Sequence, residues 1–331
     1  MFEKILVPLD GSLLAECVLP HTVAIATAFN AELVLLHVVE SANTSIIMPA
    51  DPLAWQMRKA EAKAYLENVR WRLHGAGIRV SGILLEGMAA HRIADYAHSK
   101  NCDLLILSSH GSGGLEPWSA GSVAQKVMQY AKTSLLLIRA FQEQERNAIG
   151  TCYRRIMLPL DGSQRAESAL PTAITLAQHW DAELLLVHMV ARPLPFRKAH
   201  ATAKSAGMIN KFVERNLTEA REYLDQLQSR LPLRSQVRLS VADDVMVALH
   251  EVAAQESVDL VLASAHGHGG NAQRRFGSLM AECIVHGASP LLVFQDMRPE
   301  QIVATAVECS VRENDDSGRW QPPQPVSRRL V

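Results

Sequence analysis

The chain has no cysteine pair at CxxC spacing; its five cysteines, Cys17, Cys102, Cys152, Cys283 and Cys309, are scattered and odd in number. That excludes a disulfide framework and suits buried thiols in a reducing compartment. No stretch approaches the apolar length of a membrane span. The opening apolar run in residues 1–8 is short and is followed at once by Asp10, unlike a signal peptide. A cytoplasmic protein with no membrane partner is expected. Charge excess is lacking too: 33 Lys and Arg against 34 Asp and Glu argue against both a nucleic-acid surface and an acidic, solvating chain. No Walker lysine follows a glycine cluster, and no nucleophile stands beside a convincing base. His110, His266 and His268 have no carboxylate or cysteine at ligand spacing, so no metal centre is expected.

What is present is a repeat. Residues 8–20 read PLDGSLLAECVLP and residues 159–171 read PLDGSQRAESALP, identical at nine of thirteen positions. The offset is 151 residues, from Asp10 to Asp161, and it also pairs Ala31-Glu32-Leu33 with Ala182-Glu183-Leu184 and His37 with His188. Further on it becomes 156, pairing His110-Gly111 with His266-Gly267 and Gly121-Ser122 with Gly277-Ser278. Five extra residues therefore entered the second repeat, most simply around residues 193–207. A length of 331 residues suits two domains at roughly 150 residues each.

Each repeat alternates short apolar runs with segments of helical period. The runs are residues 5–7, 33–39, 80–85, 104–107 and 135–138, then 155–160, 184–190, 236–241, 260–264 and 291–294. Nearly continuous apolar strands imply a sheet buried on both faces, so the fold class is α/β with two tandem doubly wound parallel-sheet domains. The domains are expected at 1–140 and 153–295, joined by a polar linker at 141–152, with a mobile tail at 296–331 that carries Pro322, Pro323 and Pro325. Pro20 and Pro171 fall inside the predicted first helices and should kink or delay them.

In open α/β sheets, ligands bind beyond the carboxyl ends of strands, where strand order reverses. Two loops per repeat arrive there. One is Asp10-Gly11-Ser12, repeated as Asp161-Gly162-Ser163. The other is Ser108-Ser109-His110-Gly111, nine residues, then Gly121-Ser122-Val123; its partner is Ser264-Ala265-His266-Gly267, nine residues, then Gly277-Ser278-Leu279. Glycine lets backbone N–H groups approach an anion, and a Gly-Ser step opening a helix presents free N–H groups and the positive dipole end. The bland alternatives are that the Gly-Ser steps are tight capped turns and that the aspartates are turn residues. His37 and His188, in apolar strands, read as core.

The pattern (G/S)-x-x-G-x(9)-G-(S/T) after an apolar strand, with an aspartate ending the first strand, resembles the universal stress protein family in its tandem form. The resemblance covers residues 1–140 and 153–295. It implies five-stranded parallel sheets in the order 3-2-1-4-5, like the adenine-nucleotide α-hydrolase fold, pairing within the chain through the fifth strands, a possible homodimer, and often ATP binding. It would place Asp10 and Asp161 near adenosine, Val38 and Met189 against adenine, and Gly111, Gly121 and Ser122, with Gly267, Gly277 and Ser278, around ribose and phosphates. Ser108 and Ser264 depart from the family's glycine. Asp243-Asp244 stands where the first repeat has Gly87, adding negative charge if that loop faces the site. Arg274 and Arg275 precede Gly277 and offer cations for phosphate, which the first repeat lacks.

The leading expectation is a stress-response protein that binds ATP or AMP without turnover, with Mg2+ entering only with the nucleotide. A nucleotide-free scaffold is the alternative. A slow ATPase is a third; the SGGxDS loop of related adenine-nucleotide α-hydrolase enzymes is absent.

Overall fold

The computed structural model describes residues 1–40, 52–111, 122–140, 151–192, 203–268 and 274–296. The first repeat contains β1 (Lys4–Pro8), α1 (Leu19–Phe29), β2 (Glu32–Val39), α2 (Pro52–His74), β3 (Val80–Glu86), α3 (Ala89–Ser99), β4 (Leu104–Ser108), α4 (Ser122–Tyr130) and β5 (Ser134–Ile138). The second contains β6 (Arg155–Pro159), the short α5 (Gln164–Glu167), α6 (Leu170–Trp180), β7 (Glu183–Ala191), α7 (Ala203–Ser229), β8 (Ser235–Ala242), α8 (Val245–Gln255), β9 (Leu260–Ser264), α9 (Ser278–His286) and β10 (Leu291–Phe294). The expected linker residues 141–150 and tail residues 297–331 lie outside the described residues.

The strands form one ten-stranded sheet in the order β3-β2-β1-β4-β5-β10-β9-β6-β7-β8. Each half is parallel in the order 3-2-1-4-5, and the halves join where β10 runs antiparallel to β5, with Leu292 opposite Leu136. Pairing the fifth strands removes the two edges that would otherwise offer unpaired N–H and C=O groups. Central strands are buried along their length, whereas the outer β8 alternates between half-buried and exposed residues. That is why the central strands read as unbroken apolar runs in the sequence.

The extra residues of the second repeat are absorbed mostly in one place. Val80 stands opposite Leu33 and Ser235 opposite Leu184, so four of the five enter before β8. α7 takes them up: it has 27 residues against the 23 of α2.

Pro20 and Pro171 do not kink a helix. Both stand in the first turn, of α1 and α6, where the missing N–H removes no helical bond. The expected delay is present: a 3-10 turn, Ala15–Val18, precedes α1, and α5 precedes α6.

One continuous core lies on the sheet face covered by α1, α2, α6 and α7, and it runs across both repeats. Within it Tyr153 is fully buried, its hydroxyl 2.8 Å from Nδ1 of His21 in the other repeat. Two buried arginines also cross the junction: Arg139 donates to the carbonyls of Cys283 (3.2 Å) and Ile284 (2.7 Å), and Arg275 donates to that of Ala131 (2.9 Å). A cation on the last carbonyls of α9 is favoured by the helix dipole.

Candidate nucleotide site

The loop after β1 and its copy after β6 fold alike. Gly11 and Gly162 adopt φ of 85° and 80°, which glycine takes without strain. Asp10 Oδ1 accepts from the N–H (2.9 Å) and hydroxyl (2.6 Å) of Ser12; Asp161 Oδ1 accepts from those of Ser163 at 3.0 and 2.6 Å. The serine Oγ then accepts from Ala15 or Ala166, both at 3.1 Å. One carboxylate oxygen thus serves the turn.

The other oxygen meets the second loop. Asp161 Oδ2 accepts from the His268 N–H at 2.7 Å. A Cβ on Gly111 would stand 2.1 Å from Asp10 Oδ2, and one on Gly267 would stand 2.1 Å from Asp161 Oδ2. These glycines therefore admit the chain's own aspartate, a reason the spacing alone did not reveal. Burial alone would raise the Asp161 carboxyl, but the hydrogen bonds from Ser163 and the His268 N–H outweigh it and hold the group below its ordinary value.

Ser108 and Ser264 tie the second loop to the segment after the first strand. Ser108 Oγ lies 2.6 Å from the His110 carbonyl oxygen and 3.1 Å from that of Leu14; Ser264 Oγ lies 3.4 Å from Ser168 Oγ. His37 and His188 are half-buried with their rings edge-on to Tyr65 and Tyr223, and burial lowers the pKa of both.

His266 is the best-anchored side chain of the second site. Nδ1 lies 2.7 Å from Asp296 Oδ1, and Nε2 lies 2.7 Å from the Arg274 carbonyl. Burial disfavours the charged ring, but the bonds to Asp296 and Arg274 prevail and raise its pKa. Each ring nitrogen thus faces an oxygen acceptor. Asp296, which the sequence reading placed at the start of the tail, is thereby buried against the loop, with Arg165 Nε 3.9 Å from its other oxygen.

In the second repeat these elements surround a cavity of about 310 Å³. Asp161, Met189, Ser264, Gly267, Gly277, Ser278 and Leu279 all line it. α9 opens at its mouth with no capping side chain; the Gly277 N–H is already bonded to the Ala265 carbonyl at 2.8 Å, and the N–H groups of the first helical turn follow it. By contrast Ser163 caps α5, and Asp244 caps α8 through the N–H groups of Met246 and Val247. Arg274 meets the loop through its carbonyl and is not among the lining residues, while Arg275 reaches the other repeat. Asp243 pairs with Arg192 at 3.6 Å, and neither Asp243 nor Asp244 lines the cavity.

The described residues of the first repeat cover less of its set. Asp10, Ser108 and Gly111 converge as described, and Val38 packs on the core beside α3 and α4. Gly121 lies outside the described residues, as does the side chain of Ser122, and Val123 is exposed. Among the described residues no group of three or more His, Cys, Asp or Glu is arranged to hold a metal, and no helix is long and apolar enough to cross a membrane.

The sequence profile of the universal stress protein family matches residues 1–139 and 152–295, so the chain belongs to that family, with two copies of its domain in tandem. A universal stress protein of Methanocaldococcus jannaschii is 30% identical over 142 residues, covering 42% of this chain and 83% of the relative. The universal stress protein YxiE of Bacillus subtilis is 32% identical over 148 residues, 42% of this chain and 100% of the relative. Each thus matches about one repeat. The crystal structure of a universal stress protein from Archaeoglobus fulgidus shares the two-repeat fold, with a TM-score of 0.63 at 16% identity over 89% of this chain and 98% of that one.

Proposed function

We propose that this protein binds an adenine nucleotide, ATP or AMP, in its second repeat and acts as a binding regulator without efficient turnover. The observation that carries the reading is the convergence of Asp161, Met189, Gly267 and the uncapped start of α9 on one cavity. Its volume lies at the small end of ligand pockets. Adenosine would lie against Met189 and Asp161, and phosphate oxygens would accept from the first N–H groups of α9 and from the Ser278 hydroxyl. Mg2+ would arrive with the nucleotide phosphates.

The same bonds support a role without efficient turnover. His266 has an acceptor at each ring nitrogen, and Asp161 already accepts from three groups, so neither is placed to take a proton from water. The first repeat, with Ser108 bonded to the Leu14 and His110 carbonyls, is assigned the role of scaffold. On this reading residues 1–140 and 153–295 are the functional units and 141–152 is the linker between them.

Isothermal titration with ATP tests the proposal. Saturable micromolar binding is expected, weakened about tenfold by Ser278→Ala through loss of one charge-assisted bond. No heat and no thermal shift at millimolar ATP would end it and leave the scaffold reading.

A further inference from the structure

The two repeats carry matching residues on the sheet face covered by α3, α4, α8 and α9, yet they pack them differently. In the first, Leu6, Val34, Leu36, Ile93, Ala97 and Cys102 share one core with Ala124, Val127 and Met128 of α4. The rings of His91 and Tyr130 meet at 5.0 Å between α3 and α4. The counterparts in the second repeat, Met157, Leu185, Val187, Leu249, Ala253 and Val258, form a separate small core. Met280, Cys283 and Ile284 of α9 belong instead to the core that continues from the first repeat. The cavity lies between, lined by residues of both.

The cause is legible in paired positions. Where the first repeat has Leu105, Leu107 and Val127, the second has Val261, Ala263 and Cys283. Each of these changes removes side-chain volume, and all three replacements line the cavity. The cavity therefore extends past the mouth. It follows β9 back from Ser264 to Val261, with Leu291 alongside, roughly 10 Å of extended backbone. An apolar chamber of this kind costs stability unless something apolar fills it.

We propose that this chamber binds an amphiphile with an anionic head and a linear hydrocarbon chain, such as a fatty carboxylate or an alkyl phosphate. The head lies at the uncapped start of α9, and the chain runs between α8 and α9. Among the described residues, no Lys or Arg lines the chamber. Burial pushes the Cys283 thiol up to about 11, leaving it neutral, and its sulfur is 3.3 Å from that of Met246. Burial, then the neighbouring His286 and Arg139, lowers the His250 pKa. Arg139 itself is engaged with the carbonyls of α9. A single-headed chain fits such a chamber and a dicarboxylate does not. The site shares its mouth with the proposed nucleotide site but does not depend on nucleotide binding.

The test titrates the full chain with inorganic phosphate and with butyl, octyl and dodecyl phosphate below their micellar concentrations; dodecanoate replaces the last to identify the preferred head. Affinity is expected to rise roughly tenfold for each two added methylenes as the chain is buried. Val261→Leu with Ala263→Leu restores the first repeat's residues and fills the chamber. It should cost dodecyl phosphate at least roughly a hundredfold in affinity while thermal unfolding stays cooperative. If that pair fails to fold, Ala253→Leu obstructs the chamber from α8. Affinity independent of chain length, or dodecyl phosphate binding unchanged in a folded filled variant, overturns the proposal. Displacement of dodecyl phosphate by ATP is expected if both readings hold. Chain-length-dependent binding with ATP inert defeats only the nucleotide reading; ATP binding with flat chain dependence defeats only this one.

Discussion

The two repeats keep the same loops and differ in what lies beneath them. Asp10 and Asp161 make the same turn with their serine, and each presses its second oxygen on a glycine of the second loop. Below, α3 and α4 close on each other while α8 and α9 flank a cavity. Duplication accounts for the contrast: once β5 and β10 join the halves into one sheet, a well-packed half supplies stability and the other is free to lose core volume. A loop motif can thus persist on both halves above cores that are packed differently.

Substitutions at matched positions sharpen or break that contrast. The largest difference is expected between Leu107→Ala and its mirror Ala263→Leu. The first empties a packed core and should cost about 3–5 kcal/mol; the second enters existing space and should cost less than about 1 kcal/mol, or stabilise. Denaturant unfolding of both variants measures this, and equal losses would mean that the halves are packed alike. Next come Gly111→Ala and Gly267→Ala. A methyl 2.1 Å from the aspartate oxygen must displace it, so each should lose about 2–4 kcal/mol and by similar amounts. In a double-mutant cycle with Asp161→Ala, much of the Gly267→Ala loss should disappear, because the obstructing oxygen is gone.

A smaller loss, about 2 kcal/mol, is expected for Arg139→Met, which leaves the last carbonyls of α9 without their buried donor. The smallest effect is a pH dependence. The His266 pKa is raised in the folded protein, so its stabilisation is complete below the unfolded value near 6.5 and is lost as pH rises through the raised value. His266→Asn should remove that alkaline loss from the pH profile of thermal stability. His110→Asn, at the matching position of the first repeat, leaves the His266–Asp296 contact untouched, so it should leave the loss in place.

The strands were legible because central strands buried on both faces must be apolar throughout, and all ten apolar runs are strands. The repeat itself was visible because the loops that hold the carboxyl ends of the strands tolerate little change. The role of Gly267 was read only in part: its spacing marks a close approach, but whether an anion or the chain's own Asp161 makes it depends on how two distant loops fold together. Asp296 escaped because its partner, His266, lies thirty residues earlier and the two meet only through the pairing of β10 with β9. The cavity was hidden for a related reason. Ala263 looks ordinary in a strand; only the way β9 packs beneath α8 and α9 turns a small residue into space.

The most direct test of one binding repeat and one scaffold repeat is the stoichiometry of ATP bound to the full chain, measured by titration beside Gly277→Val and Gly121→Val. Gly277 has φ of −61°, and a Cβ there meets its nearest neighbour at 3.6 Å, so valine perturbs the mouth more than the fold. One nucleotide per chain is expected, lost with Gly277→Val and kept with Gly121→Val. Two per chain, or a single one that survives Gly277→Val and vanishes with Gly121→Val, would contradict the assignment.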